Sequence, residues 1–179
     1  MRNDLFLFGL FLTLMRLGFY HAADFKFTNV ICKSYNESWF LIHNCRLKAV
    51  NRHKTSYNFN GTILYPGNHI IINIQLFKKE NGYKPWLYKI TFDLCRFLKK
   101  AYNPVAILVF KLFKDYSNFN HPCPFVGRQL INDLHLSYDA LPLPMPTGEF
   151  LIEIDCFFDL KILLSTKLYF QIREDFTRS

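Results

Sequence analysis

Ile70, Ile72, Ile74 and Leu76 alternate with Ile71, Asn73, Gln75 and Phe77, and this alternation constrains the fold more than any other feature. A period of two places the first set on one side of an extended chain, whereas a helix would scatter it around its axis. The pattern recurs. Phe25-Lys26-Phe27-Thr28-Asn29 runs into Val30-Ile31-Cys32, and Trp39, Leu41, His43, Cys45, Leu47 and Ala49 share one parity. Phe150, Ile152, Ile154 and Cys156 alternate with Glu149, Leu151, Glu153 and Asp155. Residues 57–65 (broken by Gly61), 130–136 and 161–173 are further strand candidates. Turn signals punctuate these runs at 33–38, at Pro66-Gly67-Asn68 and at 78–82. Cys32 and Cys45 bracket the first turn, so pairing them would staple a hairpin.

The alternation breaks between residues 82 and 125. Lys84-Pro85 is extended, and 86–90 reads as a continuation of the preceding strand. From Thr91, the spacing of Phe92, Cys95 and Phe97 or Leu98 suits a short helix, with Thr91 or Asp93 as N-cap and Lys99-Lys100 near its C-terminus. Asn103-Pro104 opens a second expected helix, Asn as cap and Pro in the first turn. The apolar run 105–110 leaves a buried strand as the alternative. Asn and Pro density forces turns from Ser117 to Pro124, and Leu141-Pro142-Leu143-Pro144-Met145-Pro146 is a proline-spaced extended loop. Roughly six or seven strands, two short central helices and no βαβ rhythm imply a mainly β two-sheet sandwich with a mid-chain helical insertion.

The first 22 residues read as a leader. Arg2 precedes the uncharged apolar run 5–14, and Ala22-Ala23 stands before Asp24, the layout of a cleaved secretory signal. Arg16 leaves the run short of the roughly 20 residues a membrane span needs. The expected organisation is a signal peptide over 1–22 and one domain over 23–179, exported, with no membrane-spanning segment after cleavage. Five cysteines in an oxidising compartment imply two disulfides and one leftover thiol. The sequons Asn36-Glu37-Ser38 and Asn60-Gly61-Thr62 make Asn36 and Asn60 candidate glycan sites on the same route.

Charged residues are 20% of the chain and hydrophobic ones 50%, which excludes a disordered chain. The net charge of +8 comes from scattered cations, a solvated basic surface with no nucleic-acid patch. With 20 Phe, 10 Tyr and 2 Trp, the interior holds bulky rings that either fill a thick core or line a cavity.

Catalytic patterns are not found. No CxxC pair or His-x-His cluster suits zinc, and no phosphate-binding Gly-rich loop is present. The histidines lack a partner at triad spacing. His121 beside Cys123 reads as a turn hydrogen-bonder, and Glu153 and Asp155 share the parity of a solvated face. No enzyme activity, cofactor or metal is expected. Two binding classes remain. In one, Phe59, Ile72, Ile74, Trp86, Phe110, Phe113 and Phe150 line a slot for an apolar small molecule or lipid. In the other, a glycosylated basic surface binds a receptor or glycan around a dry core.

Phe27-Thr28-Asn29-Val30…Cys32, Cys45-Arg46-Leu47 and Asn81-Gly82-Tyr83…Pro85-Trp86-Leu87 form the first part of a longer pattern. Asp93-Leu94-Cys95-Arg96-Phe97-Leu98, Ser117-Asn118…Asn120-His121-Pro122-Cys123-Pro124 and Leu141-Pro142…Pro146…Gly148-Glu149-Phe150 complete it. Over about residues 25 to 175 the chain resembles a large insect family of secreted proteins with a domain of unknown function. That family includes the chemosensory B proteins and is distantly related to the myeloid-differentiation-factor-2-related lipid-recognition proteins. The resemblance implies an immunoglobulin-like sandwich whose sheets part at one edge to admit an acyl chain or sterol. It also implies Cys95–Cys123 and Cys32–Cys45 bridges with Cys156 as a buried free thiol, Cys45–Cys156 being the alternative. A chemosensory or lipid-related extracellular role follows from the same resemblance.

Overall fold

A computed structural model describes residues 23–52, 54–141 and 144–174. The leader expected over 1–22, His53, and Pro142 and Leu143 of the proline-spaced loop lie outside them. Eight strands form among the described residues: β1 (Ala23–Ser34), β2 (Phe40–Ala49), β3 (Thr55–Gly67), β4 (Ile70–Glu80), β5 (Gly82–Asp93), β6 (Phe125–Leu134), β7 (Gly148–Phe158) and β8 (Lys161–Glu174). Two helices, α1 (Leu94–Lys99) and α2 (Pro104–Phe113), follow β5, and short 3-10 turns cover Lys114–Tyr116 and Tyr138–Ala140. One sheet runs β1-β8-β7-β4-β5 and the other β2-β3-β6. All neighbouring strands are antiparallel. This is the expected mainly β two-sheet sandwich with mid-chain helices.

The alternation of β4 survives as geometry: Ile70, Ile72 and Leu76 are buried, and their odd-numbered neighbours less so. Three local readings change. First, β5 is a separate strand paired antiparallel with β4, reversing at Asn81 and at Gly82 with its φ of 95°. Second, Gly61 does not break β3. A Cβ there would stand 2.7 Å from the Phe40 ring, so glycine is required by a ring lying over the strand rather than by a bend. Third, β2 carries a bulge between Ile42 and Asn44. Phe40 and Ile42 face inward ahead of it and Cys45 and Leu47 beyond it, while Leu41 and His43 are exposed. The expected single parity from Trp39 to Ala49 therefore holds on one side of the bulge only.

Both helices begin as their caps dictate. The Asp93 carboxylate accepts from the Arg96 amide at 2.9 Å, and the Asn103 side chain accepts from the Ala106 amide at 3.1 Å, with Pro104 in the first turn. The apolar run is thus helical, and Ala106 is buried to 1% exposure against the interior. Beyond α2, Asn118 imitates a strand. Its amide donates to the Arg128 carbonyl at 2.7 Å, and its carbonyl oxygen accepts from the Leu130 amide at 2.7 Å. The free edge of β6 is covered there.

Two disulfides close the sandwich at opposite sides. Cys95 at the start of α1 bonds Cys123 just before β6, with 5.5 Å between Cα atoms. Cys32 bonds Cys45 at 6.2 Å, but not within a hairpin. β1 pairs with β8 and β2 with β3, so the turn after Ser34 steps from one sheet to the other and the bond spans them. In the chain-entropy treatment these loops, separated by 13 and 28 residues, stabilise by about 3 and about 3.5 kcal/mol. Replacing both Cys95 and Cys123 by alanine is expected to cost about 3.5 kcal/mol, read as a lower urea midpoint. An unchanged midpoint would show that the helices are held without the bond.

Candidate functional site

Between the sheets lies a cavity of about 200 Å³. Phe40, Tyr57, Phe59 and Ile63 line it from the smaller sheet, together with Phe125, Gln129, Ile131 and Leu134 of β6. The larger sheet contributes Ile70, Ile72 and Ile74 of β4, Ile154, Cys156 and Phe158 of β7, and Leu164, Thr166 and Leu168 of β8. The remaining wall is Phe92 of β5, Leu94 and Phe97 from the α1 segment, Ala106, Val109, Phe110 and Phe113 from α2, and Phe119 beyond it. A run of ring contacts crosses this side. Phe92–Phe97 centroids are 5.3 Å apart, Phe97–Phe110 5.6 Å, Phe110–Phe113 5.4 Å, Phe113–Phe119 6.1 Å and Phe119–Phe125 6.4 Å. All five are edge-on or tilted, arrangements that aromatic pairs favour over a face-to-face sandwich.

Of the residues read as lining a slot, Phe59, Ile72, Ile74, Phe110 and Phe113 do face the cavity. Trp86 and Phe150 do not. Trp86 lies 5.3 Å from Phe150, Phe150 lies 5.3 Å from Phe170, and Phe170 stacks on Phe25 at 4.9 Å. These rings fill the other end of the larger sheet, where Phe150 pairs with Lys78, whereas the cavity lies by Ile70–Ile74 and Ile154–Phe158. Period two reports which face a side chain takes and not its height along the strand. Phe92, Phe97 and Phe119 also line the cavity. The spacing of Phe92 and Phe97 marked an apolar helix face without saying what that face meets, and Phe119 stood in a segment read only as turns.

The polar groups of the cavity are few. The Tyr57 hydroxyl stands 3.6 Å from Cys32 Sγ, and the Thr166 hydroxyl donates to the same sulfur at 3.8 Å. Burial pushes the Tyr57 phenol well above its ordinary range, and the neighbouring Cys156 adds to the shift. Cys156 is the free thiol, and burial pushes it up to about 12, with Asp155 contributing. Such a thiol is not a nucleophile at neutral pH.

The other candidates fall into structural roles. The His121 ring donates to the Pro122 carbonyl at 2.8 Å and packs 4.3 Å from Phe125. Glu149 pairs with Lys79 at 2.8 Å and Glu153 with Lys167 at 3.0 Å, cross-strand contacts on the outer face. Asp155 departs from the solvated reading, because its Oδ1 is buried without a hydrogen-bond partner among the described residues, between Asn73 and Ser165 in the register. A central strand shields what an edge strand would expose. Among the described residues no group of acidic, His and Cys side chains is placed to hold a metal ion, and no helix is long and apolar enough to cross a membrane.

A two-sheet sandwich with an apolar cavity between its sheets is the class that fold and site define. Residues 72–152 match the family described as "Protein of unknown function (DUF1091)". The stretch runs from β4 through both helices into β7. No curated protein matches the chain. Among solved structures it is similar to chicken MD-1 complexed with lipid IVa, at 11% identity and a TM-score of 0.36, over 83% of this chain and 96% of that one. It is also similar to a Niemann-Pick type C2 protein from Japanese carpenter ant, at 12% identity and a TM-score of 0.33, over 83% and 92%.

The sign of the thiol shift sets a pH dependence. A folded-state value raised from 9.0 to about 12 means that the native state keeps its proton after the unfolded chain has lost it. Stability from this group is full below pH 9 and falls as pH rises toward 12, by about 1.4 kcal/mol per unit. Urea midpoints measured from pH 8 to 11 are expected to fall less steeply in Cys156→Val than in the unsubstituted protein.

Proposed function

We propose that this protein is an exported, non-catalytic carrier that holds a lipid or other apolar small molecule between its sheets. One observation supports the reading above the rest: an interior cavity whose lining is almost wholly ring and aliphatic. Packed domains keep few voids larger than a water molecule. At about 24 cal/mol per Å³, an apolar void of about 200 Å³ costs about 5 kcal/mol, comparable to the entire stability of many domains. A chain that retains it gives up stability for capacity. Hydrocarbon entering it regains about 0.8 kcal/mol per buried methylene. The alternative, a receptor- or glycan-binding module with no internal ligand, is separated by the same experiment.

Protein purified from an exporting host and extracted with organic solvent is expected to release an apolar compound near one per chain. The emptied protein should take up an apolar fluorophore. Ile72→Phe, which pushes a ring into the cavity, should weaken that uptake about tenfold, or about 1.4 kcal/mol. Finding neither extractable compound nor uptake would leave the interaction module as the reading.

The export route carries its own expectation. Asn36 lies exposed on the β1–β2 turn, its side-chain oxygen accepting from the Ser38 amide at 3.1 Å and the Ser38 hydroxyl at 2.6 Å. Asn60 lies within the central strand of the smaller sheet with Oδ1 buried. Asn36→Gln is expected to increase the gel mobility of the exported protein by one glycan, and no change would remove Asn36 as an attachment site.

A further inference from the structure

The motif Pro85-Trp86-Leu87 has no part in the cavity lining. It forms a bulge on β5, which is an edge strand of the larger sheet. Lys89 pairs with Gln75 and Pro85 with Phe77, so Trp86, Leu87 and Tyr88 stand opposite Leu76 alone. The bulge is braced. Gln75 Nε2 donates to the Leu76 carbonyl at 2.9 Å and to the Tyr88 carbonyl at 3.2 Å, and the Trp86 ring packs 5.3 Å from Phe150. Within it Leu87 takes a φ of 45° and is 67% exposed, with Tyr88 36% exposed beside it. Leu160 also has a positive φ, but it sits in the two-residue turn between Phe158 and Lys161, a loop that calls for one. No turn calls for it at Leu87. A branched side chain held in the left-handed region and shown to water lowers stability, and strain of this kind gathers at functional surfaces.

The charges around the bulge say what it meets. Lysines stand at 78, 79, 84 and 89 on the two strands. Lys79 pairs with Glu149 at 2.8 Å and Lys84 lies 3.8 Å from Glu80. Lys78 has only the Trp86 ring, 5.9 Å from its Nζ, and neither it nor Lys89 has an ion-pair partner among the described residues. The partner is therefore anionic. A second β-strand is a poor fit, because Pro85 lacks an amide donor and the bulge interrupts the edge ladder. A folded protein is a poor fit too, since one leucine and one tyrosine fall far short of the roughly 800 Å² per side of a stable interface. A bilayer needs no such area: one aliphatic side chain, an amphipathic ring and flanking lysines are what its boundary accepts. We propose that the Pro85–Lys89 bulge docks the protein on an anionic lipid bilayer. Leu87 enters the acyl boundary, Tyr88 lies at headgroup level, and Lys84 and Lys89 meet lipid phosphates, whatever the cavity holds.

Co-sedimentation with vesicles of phosphatidylcholine and phosphatidylserine in equal parts, and with vesicles of phosphatidylcholine alone, tests this. The unsubstituted protein should bind the mixed vesicles more tightly, and less so at high salt. Leu87→Asn removes the apolar anchor and installs a residue that accepts a positive φ more readily. It should weaken vesicle binding about tenfold while its urea midpoint stays level or rises, a pairing that a purely structural leucine would not give. Lys89→Gln should weaken binding to the mixed vesicles about fivefold and leave binding to phosphatidylcholine unchanged. Equal binding to both vesicle types, or to neither, would overturn the inference, as would undiminished binding by Leu87→Asn. A lowered midpoint in Leu87→Asn would overturn it by assigning Leu87 to the fold. A lipid-free dimer that Leu87→Asn dissolves would overturn it in favour of a second copy of the chain.

Discussion

The spacing of the two sheets is held covalently at both sides. Cys32–Cys45 ties an edge strand of the larger sheet to an edge strand of the smaller, and Cys95–Cys123 ties the end of β5, through α1, to the start of β6. In an ordinary sandwich that spacing is set by interdigitating side chains, and a void invites collapse. Here two covalent ties fix how the edges of the sheets meet. The interior between them is partly unfilled, and the rings of α1 and α2 cover one side of it rather than plug the middle.

Much of this architecture was legible in the chain. Asp93 and Asn103-Pro104 announce both helices because caps act within one turn of backbone, where sequence neighbours are spatial neighbours. The face of β4 was legible for the same reason. What escaped depended on contacts distant in sequence. Phe40 lying on Gly61 decides that β3 is continuous, and nothing near Gly61 says so. The bulge in β2 flips Leu41 and His43 outward to keep both Phe40 and Cys45 facing in. Whether Cys32–Cys45 closes a hairpin or spans two sheets depends on which strands pair, which is a property of the whole fold.

The candidate site was half legible on the same terms. Ile72 and Ile74 lie toward the cavity because alternation assigns a face. Trp86 and Phe150 were misplaced because two aromatic clusters share that face, one around the cavity and one around Phe25 and Phe170.

The wall formed by α2 differs in kind from the other walls. Sheet residues that line the cavity are also rungs of the backbone ladder, so altering them disturbs pairing as well as volume. Val109, Phe110 and Phe113 belong to no ladder; their helix meets the sandwich through ring edges, the buried Ala106 and a neighbouring disulfide. Side chains there can be exchanged for larger or smaller ones while strand register stays as it is. The molecule thus separates the part that sets its shape from the part that sets its bore, and a single ten-residue segment can resize the chamber as a gasket resizes a fitting.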